Sequence, residues 1–241
     1  MKLLVNALRN RHSEPKTFEE FGKEFAQRSQ DHDWIKPNSW RGRMVTWRGR
    51  YSKSMREAVE MLKGRKDIVA HIIGLGNARM SRIAGVREKR VRYSAPNLVE
   101  LTRTVRRIDS KARVYAMDAI KDVIDEAKKD VKNYDGVSFL HMDVAAPTAK
   151  PVERADLIVC TNLFPYLPQK EDQKSALVTL ASMLKKGGVL LTAKGDFPTD
   201  ERPEDYGLKK ARRATSPAST KGEGVLYVKK REIDFYRARK R

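Results

Sequence analysis

The sequence predicts an α/β fold built on a mostly parallel sheet, and the stretch Ala155–Phe197 gives the strongest indication. Its first apolar run, Asp156–Cys160, has the length and composition of a strand buried on both faces. Apolar residues then recur at helical spacing within Gln173–Leu184, and a second apolar run covers Val189–Ala193. A strand, a helix and a strand in this order form parallel sheet with a right-handed crossover.

The end of the predicted helix carries two signals. Lys185 and Lys186 are expected in its last turn, where positive charge complements the helix dipole. Gly187 and Gly188 follow, and glycine commonly ends a helix. We therefore expect the helix to end at this pair of glycines.

Two stretches compete for the first strand of the sheet. The apolar run within Asp67–Arg82 ends in Gly74-Leu75-Gly76, but 42 residues separate Gly76 from the acid expected at the end of the next strand, Asp118. That distance is long for a compact strand, helix and strand, and a lone Gly-x-Gly is a weak signal. Arg90–Ser94 ends only 24 residues before Asp118 and is the preferred first strand.

The elements after this strand follow in regular order. A turn without glycines is expected over Ala95–Val99, a helix over Leu101–Ile108 and the second strand over Ala112–Asp118. A helix over Lys121–Asp130 and a third strand over Val137–Val144 continue the alternation that is typical of a parallel sheet. Near the end of the chain, Gly224–Lys230 is predicted to form another strand.

The succession of motifs after residue 155 resembles the second half of class I S-adenosyl-L-methionine (SAM) dependent methyltransferases. It comprises an acid and apolar strand, Asn162, the pair Tyr166-Leu167, an amphipathic helix, the sequence Leu-Lys-Lys-Gly-Gly and a second apolar strand. The run Cys160–Leu167 resembles the chemotaxis-receptor branch in particular. The resemblance covers roughly residues 91–228. It implies a Rossmann-like methyltransferase fold with a central, mostly parallel sheet, an antiparallel last strand and SAM as the cofactor.

The resemblance also implies which residues hold the cofactor. The acid at Asp118, followed by Ala119, matches the residue that accepts hydrogen bonds from both ribose hydroxyls; a helix-capping role for Asp118 is the structural alternative. Asp143 matches the acid that receives the adenine amino group, and Val144 offers its backbone amide to the ring.

The turn after the first strand departs from the family's pattern. Ser94, Ala95 and Asn97 are expected to pass the methionine part of SAM, yet glycines normally occupy this turn because the backbone approaches the ligand closely. Three interpretations stay open: an unusual backbone binds SAM, the Gly74–Asn77 loop folds back to help, or the cofactor has been lost.

The run Asn162 to Tyr166 follows the fourth strand, at the edge where α/β sheets bind their ligands. It loosely resembles the Asn-Pro-Pro-Tyr motif of amino-methyltransferases, which predicts catalytic roles for Asn162 and Tyr166 and a cofactor contact for Asn162 and Leu163. The structural alternative is that Phe164, Pro165 and Tyr166 form a hydrophobic loop that covers the cofactor pocket.

The net charge is +20, and its distribution along the chain indicates a polyanionic partner. Residues 111–200 contain 13 basic and 13 acidic residues, whereas residues 1–66 contain 16 and 8 and residues 201–241 contain 13 and 6. A basic excess outside a neutral middle favours phosphate contacts and counterion release, so nucleic acid, with RNA first, is the expected partner. Basic ends that only aid solubility are the alternative.

Residues 1–66 are predicted to form a basic, helical N-terminal arm separate from the sheet, and residues 67–241 the methyltransferase-like domain with a basic tail. Apolar residues within Ser52–Lys63 share one helical face. The arm also contains a repeated Trp-Arg-Gly-Arg sequence whose indoles and guanidinium groups suit base stacking and phosphate binding. These candidate nucleic-acid-binding residues are Trp40, Arg41, Arg43, Trp47, Arg48 and Arg50. The alternative is that the tryptophans pack the arm onto the domain.

The composition bears on three further features: disulfides, metal sites and membrane segments. The single cysteine, Cys160, excludes an internal disulfide and a cysteine-based zinc cluster, so no metal is expected. No apolar run has the length of a membrane span, and the first residues make a poor secretory signal. A cytoplasmic location without membrane contact is the expectation, with an organellar presequence and a protein partner as open alternatives.

The predicted function is therefore SAM-dependent methyl transfer to nucleic acid, with RNA as the leading substrate class. Two alternatives stay open. The first is a non-catalytic nucleic-acid-binding or scaffold subunit that has lost SAM binding. The second is a protein methyltransferase, which the basic ends disfavour unless its target is acidic.

Overall fold

A computed structural model of the chain describes residues 52–75, 96–130, 135–146, 152–161, 163–164, 167, 169–193, 195–213 and 224–230. Within these residues, strands and helices alternate along most of the chain. In order they are α1 (Ser52–Glu60), β1 (Val69–Ile73), α2 (Pro96–Ile108), β2 (Arg113–Asp118), α3 (Lys121–Asp130), β3 (Val137–His141), β4 (Ala155–Cys160), α4 (Lys170–Met183), β5 (Leu184–Ala193), a 3-10 turn (Pro203–Tyr206), β6 (Leu208–Arg213) and β7 (Gly224–Lys229).

The described strands form one sheet in the order β3-β2-β1-β4-β5-β7-β6. All neighbouring pairs from β3 to β5 are parallel, whereas β7 is antiparallel to both β5 and β6. This is the predicted Rossmann-like α/β architecture, a central parallel sheet that ends in an antiparallel hairpin. The fold class is confirmed.

The identity of the first strand is a correction. The strand between β2 and β4 is β1, where Ile73 pairs with Met117 on one side and Cys160 on the other. The prediction that residues 90–94 form the first strand beside β2 is therefore wrong; those residues themselves lie outside the described ranges. All five residues of β1 are buried. A central strand suits this apolar run, whereas Arg90 and Arg92 would carry charge into the core.

The turn expected over Ala95–Val99 is also corrected. Helix α2 begins at Pro96, so residues 96–99 form its first turn, and Leu98 and Val99 are buried in the core. Proline suits the first position of a helix because its missing N–H has no partner there in any case. The glycine turn follows β1 instead. The chain therefore departs less from the family's pattern, in which glycines follow the first strand, than the sequence indicated.

Helix α4 ends earlier than its charge pattern predicts. Its last residue is Met183, and the backbone is already extended at Leu184, where β5 begins. Lys185 consequently belongs to β5. Its ammonium group lies 2.7 Å from the Asp156 carboxylate, so the lysine serves an ion pair and not the helix dipole.

The core lies on both faces of the sheet. One cluster joins α1, α2 and α3 to residues such as Ala70 and Ile72, and the other joins α4 to Val69 and Ile73. The alternation along β1 is the period of two that a strand imposes. Because α1 belongs to the first cluster, this part of the N-terminal arm packs on the sheet. The expectation that the arm is separate from the sheet is therefore wrong for α1, and the boundary at residue 66 stays a prediction.

Asp156 ties several elements together where the parallel strands begin. Its carboxylate accepts hydrogen bonds from Arg65 at 2.9 Å, from Lys185 at 2.7 Å and from the Val69 amide at 3.0 Å. Burial alone would raise the pKa of Asp156, but the bonds from Lys185, Val69 and Arg65 outweigh it and hold this pKa below its usual value. The carboxylate thus joins the segment after α1 to β1, β4 and β5 at the edge opposite the site described below.

None of the helices in the described ranges is long and apolar enough to cross a lipid bilayer.

Candidate cofactor site

The carboxyl ends of β1, β2 and β4 meet at one edge of the sheet because these strands are parallel neighbours. Beyond β1 the chain turns at Gly74, whose φ of +74° is a left-handed conformation that side chains rarely adopt. Asp118 is the last residue of β2. Ligands of open α/β sheets bind at this edge, where the strand order reverses.

Asp118 connects the glycine turn to the start of α3. One carboxylate oxygen accepts a hydrogen bond from the Leu75 amide at 2.9 Å, and the other accepts one from the Ile120 amide at 2.9 Å. The Gly74 amide donates to the Met117 carbonyl at 3.0 Å, which continues the β1–β2 ladder into the turn. The residue is 8% exposed, so these bonds form in a largely dry environment.

Burial raises the pKa of Asp118 to about 6, although the Ile120 and Leu75 amides favour its charged form and the neighbouring His141 also lowers the pKa. His141 lies close by, with its Nε2 atom 2.9 Å from the Ala119 carbonyl oxygen. The carboxylate is therefore ionised at neutral pH and becomes protonated in mildly acidic solution.

The donor and acceptor inventory of this edge fits a ribose-bearing cofactor. A carboxylate has about four lone-pair sites, and Leu75 and Ile120 use two of those on Asp118. The remaining sites match the two donors of a ribose diol. Among the described residues, a Cβ atom added to Gly74 would meet only Leu163 Cδ1, at 3.8 Å, so these residues leave space for a close ligand.

The structure brings several of the predicted cofactor residues together. Leu163, just after β4, borders Gly74. Ala119 directly follows Asp118, and the Met142 amide donates to the Asp118 carbonyl at 2.9 Å, which brings the end of β3 to the same place.

Asp143 and Val144 follow Met142. The Asp143 side chain is half-buried and accepts a hydrogen bond from the Ala145 amide at 2.9 Å, whereas the Val144 side chain is buried. Asn97 lies in the first turn of α2 and is half-buried. No hydrogen bond within the described residues ties Asn97 to Asp118.

Several predicted site residues lie outside the described ranges, so their roles stay predictions. They are Ser94, Ala95, Asn162 and Tyr166 of the cofactor and catalytic set, and Trp40, Arg41, Arg43, Trp47, Arg48 and Arg50 of the nucleic-acid-binding set.

Gly74 and Leu75 are functional candidates that the sequence suggested only as part of a loop folding back to help, and not as the turn after the first strand. The signal was present, since an apolar run leads directly into Gly-x-Gly. The distance to Asp118 argued against it, but the entropy of closing a loop grows only slowly with length, so a long connection between β1 and α2 costs little.

Aromatic side chains pack beyond the ends of β4 and β5. The rings of Phe164 and Phe197 have centroids 6.3 Å apart, and those of Phe197 and Tyr227 are 5.0 Å apart. Phe164 is only 2% exposed. Phe164 therefore acts as a packing residue, which agrees with the hydrophobic-loop interpretation for this position.

Among the described residues, no group of three or more His, Cys, Asp or Glu side chains could hold a metal ion.

Comparisons with known proteins agree with this geometry. The model of a methyltransferase domain family matches residues 98–188. The N-methyltransferase NodS from Bradyrhizobium japonicum WM9, solved with S-adenosyl-L-homocysteine, superposes with a TM-score of 0.52 at 13% identity, over 88% of this chain and 99% of that one. No curated protein sequence matches this chain.

Two further solved structures share the fold. A TehB-like SAM-dependent methyltransferase from Corynebacterium glutamicum superposes with a TM-score of 0.50 at 16% identity, over 87% of this chain and 98% of that one. A SAM-dependent methyltransferase from Aquifex aeolicus gives 0.50 at 17% identity, over 81% and 99%. The chain therefore has the class I SAM-dependent methyltransferase fold. None of these comparisons supports the narrower resemblance to chemotaxis-receptor methyltransferases.

Proposed function

We propose that this protein is a SAM-dependent methyltransferase that acts on nucleic acid, with RNA as the leading substrate class. One observation carries the cofactor assignment: the buried Asp118 carboxylate binds the Leu75 amide of the glycine turn and keeps acceptor sites for a ribose diol. The methyltransferase domain match over residues 98–188 supports the same assignment.

In this proposal, different residues at the carboxyl edge bind different parts of SAM. Asp118 holds the ribose, and its bonds to the Leu75 and Ile120 amides keep the carboxylate fixed before the ligand arrives. Gly74 lets the backbone pass close to the ligand. Asp143 and Val144 are the candidates for the adenine ring, because they follow Met142, whose amide donates to the Asp118 carbonyl.

Bound SAM supplies an electrophilic methyl group on a sulfonium ion. The chain's own task is to hold the nucleophile in line with that methyl group and to exclude water, a positioning effect that can account for about 7–11 kcal/mol of a barrier. In this proposal the nucleophile lies beside the exits of β4 and β5, where Phe164 and Phe197 pack. Asn162 and Tyr166 are the proposed contacts for it.

The charge distribution supports nucleic acid as the substrate. The excess of basic residues lies outside residues 111–200, which are neutral as a group. Phosphate groups are the partner that such an excess attracts most strongly. An acidic protein is the competing substrate, and it shares the electrostatic attraction but not the stacking that the Trp-Arg-Gly-Arg repeat suits.

The non-catalytic alternative loses its main support. It rested on a turn without glycines after the first strand, and the turn after β1 contains Gly74 in a left-handed conformation. The test is methyl transfer from SAM labelled in its methyl group to pooled RNA, to DNA and to an acidic protein. Label transferred to RNA alone is the expected result; label only in protein would refute the nucleic-acid assignment.

A further inference from the structure

His141 lies beside the acid that the cofactor site is built on. It is the last residue of β3, and it is the register partner of Asp118 at the end of β2. Its side chain is exposed, whereas that of Asp118 is buried. The His141 Nε2 atom lies 2.9 Å from the Ala119 carbonyl oxygen. Because a carbonyl oxygen can only accept, this ring nitrogen carries the hydrogen and donates.

The acceptor of this bond belongs to the same peptide group that binds the Asp118 carboxylate. The Ala119 carbonyl and the Ile120 amide form one planar trans unit, in which C=O and N–H point in opposite directions. The Ile120 amide donates to one carboxylate oxygen of Asp118 at 2.9 Å. A single peptide group is therefore held at one end by His141 and binds Asp118 at the other, and its rotation would break both bonds.

This arrangement fixes the orientation of the carboxylate. Hydrogen bonds in a chain polarise one another, so a donor on the Ala119 carbonyl makes the Ile120 amide a better donor to Asp118. The second carboxylate oxygen is held by the Leu75 amide at 2.9 Å. His141 thus supports one of the two bonds that orient Asp118 among the described residues.

We propose that His141 is a positioning residue of the SAM site, which acts through the peptide group between Ala119 and Ile120 to hold the Asp118 carboxylate ready for the ribose hydroxyls. This inference rests on the SAM site of the proposed function and adds a residue to it. It does not depend on which substrate receives the methyl group.

The ring also acts on Asp118 through its charge. Burial raises the pKa of Asp118 to about 6, and the positive charge of protonated His141 opposes this rise. Because the ionised carboxylate is the form that accepts the ribose hydroxyls, His141 extends SAM binding to lower pH. The charged residues that follow this pair most closely in the chain are Lys121 and Asp122 of α3 and Asp143 after β3, and the described turn after β1 adds none.

A purely structural use of the bond would be to satisfy the Ala119 carbonyl ahead of α3. In that case, loss of the ring would lower stability but would leave the pH dependence of SAM binding unchanged. A positioning role changes both the affinity for SAM and its dependence on pH, so SAM binding distinguishes the two roles.

The test is calorimetric titration of the full chain with SAM at several pH values between 5 and 8. His141→Gln keeps an N–H donor about as far from the backbone as Nε2, but it cannot become charged. His141→Ala removes both the donor and the charge. The matched control is Ser138→Ala, which alters an exposed residue of the same strand. Urea denaturation of each variant checks that it is folded.

At pH 8 we expect His141→Gln to bind SAM like the unaltered protein and His141→Ala to bind it about two- to tenfold more weakly, the usual net effect of one hydrogen bond. In both variants the pH below which affinity falls should move upward from about 6, because no ring charge favours the ionised form of Asp118. Ser138→Ala should change neither quantity.

Unaltered affinity of His141→Ala at pH 8, or an unaltered pH profile of His141→Gln, would overturn the inference and leave the SAM site on Asp118 standing. The profile of His141→Gln decides the question even where His141→Ala fails to fold. Absence of SAM binding by the folded, unaltered protein would overturn the cofactor assignment of the proposed function as well.

Discussion

Asp118 makes the stability of the protein depend on pH in a direction opposite to that of most paired carboxylates. Its pKa rises from 3.8 in the unfolded chain to about 6 in the folded protein because the carboxyl group is buried. The folded state therefore holds the proton more tightly than the unfolded state, and the free energy of unfolding falls as pH rises through this window. The shift corresponds to about 3 kcal/mol in total, of which roughly 1.3 kcal/mol lies between pH 5 and 7.

The Asp118→Asn substitution removes this titration while it keeps the size of the side chain. Urea denaturation of the two proteins without cofactor, at pH 5, 6 and 7, gives the difference between their free energies of unfolding. We expect the unaltered protein to lose roughly 1.3 kcal/mol relative to the variant between pH 5 and 7. Titrating groups that do not interact with Asp118 are common to both proteins and cancel in the difference. A difference that stays constant with pH would refute the burial argument.

The same carboxylate predicts the pH dependence of SAM binding. Ribose hydroxyls need the ionised form as their acceptor, so affinity falls about tenfold for each pH unit below the pKa. Because that pKa is about 6, SAM should bind about tenfold more weakly at pH 5 than at pH 7. The affinity of the Asp118→Asn variant should be weaker throughout and should not change with pH. Parallel affinity profiles for the two proteins would contradict the assigned role.

Further predictions concern the glycines and the opposite edge of the sheet. Gly74→Ala and Gly195→Ala both place a side chain at positive φ and should each destabilise the fold by about 1–2 kcal/mol, but only Gly74→Ala should weaken SAM binding in a titration. Equal SAM affinities of the two variants would show that Gly74 is not part of the SAM site. Gly224→Ala should lower the free energy of unfolding by about 1–3 kcal/mol through overpacking; unchanged urea stability would contradict the close contact with α1. Asp156→Ala should cost roughly 3 kcal/mol, since two cations and the Val69 amide lose their acceptor, and a thermal midpoint equal to that of the unaltered protein would refute this.

Much of the sheet could be predicted from the sequence because its signals are local. The apolar runs of β2, β4 and β7 are short and clearly bounded, and the acid at Asp118 directly follows one of them. The spacing of four apolar residues was sufficient to predict the buried face of α1, and all four side chains are buried. Where all the residues that define a strand or helix lie within about ten positions of one another, the sequence predicts both the element and its burial.

The first strand could not be placed by the same means. Its partner β2 begins 40 residues after the end of β1, and pairing between strands leaves no mark on the intervening sequence. The same holds for Lys185, whose neighbours favour a helix end but whose ammonium group pairs with Asp156 across 29 residues. Long-range contacts determine both the position of β1 in the sheet and the role of Lys185. They also determine that the glycine turn beside Asp118 follows β1.

The most direct test of the proposed cofactor site is calorimetric titration with SAM near neutral pH. The unaltered protein is compared with Asp118→Ala and with the control Asp125→Ala, which removes an acid from the surface of α3 where it pairs with Lys128. We predict saturable binding by the unaltered protein and the control, and loss of binding in Asp118→Ala. Absence of binding by the folded, unaltered protein, or equal binding by all three, would contradict a SAM site built on Asp118 and the glycine turn.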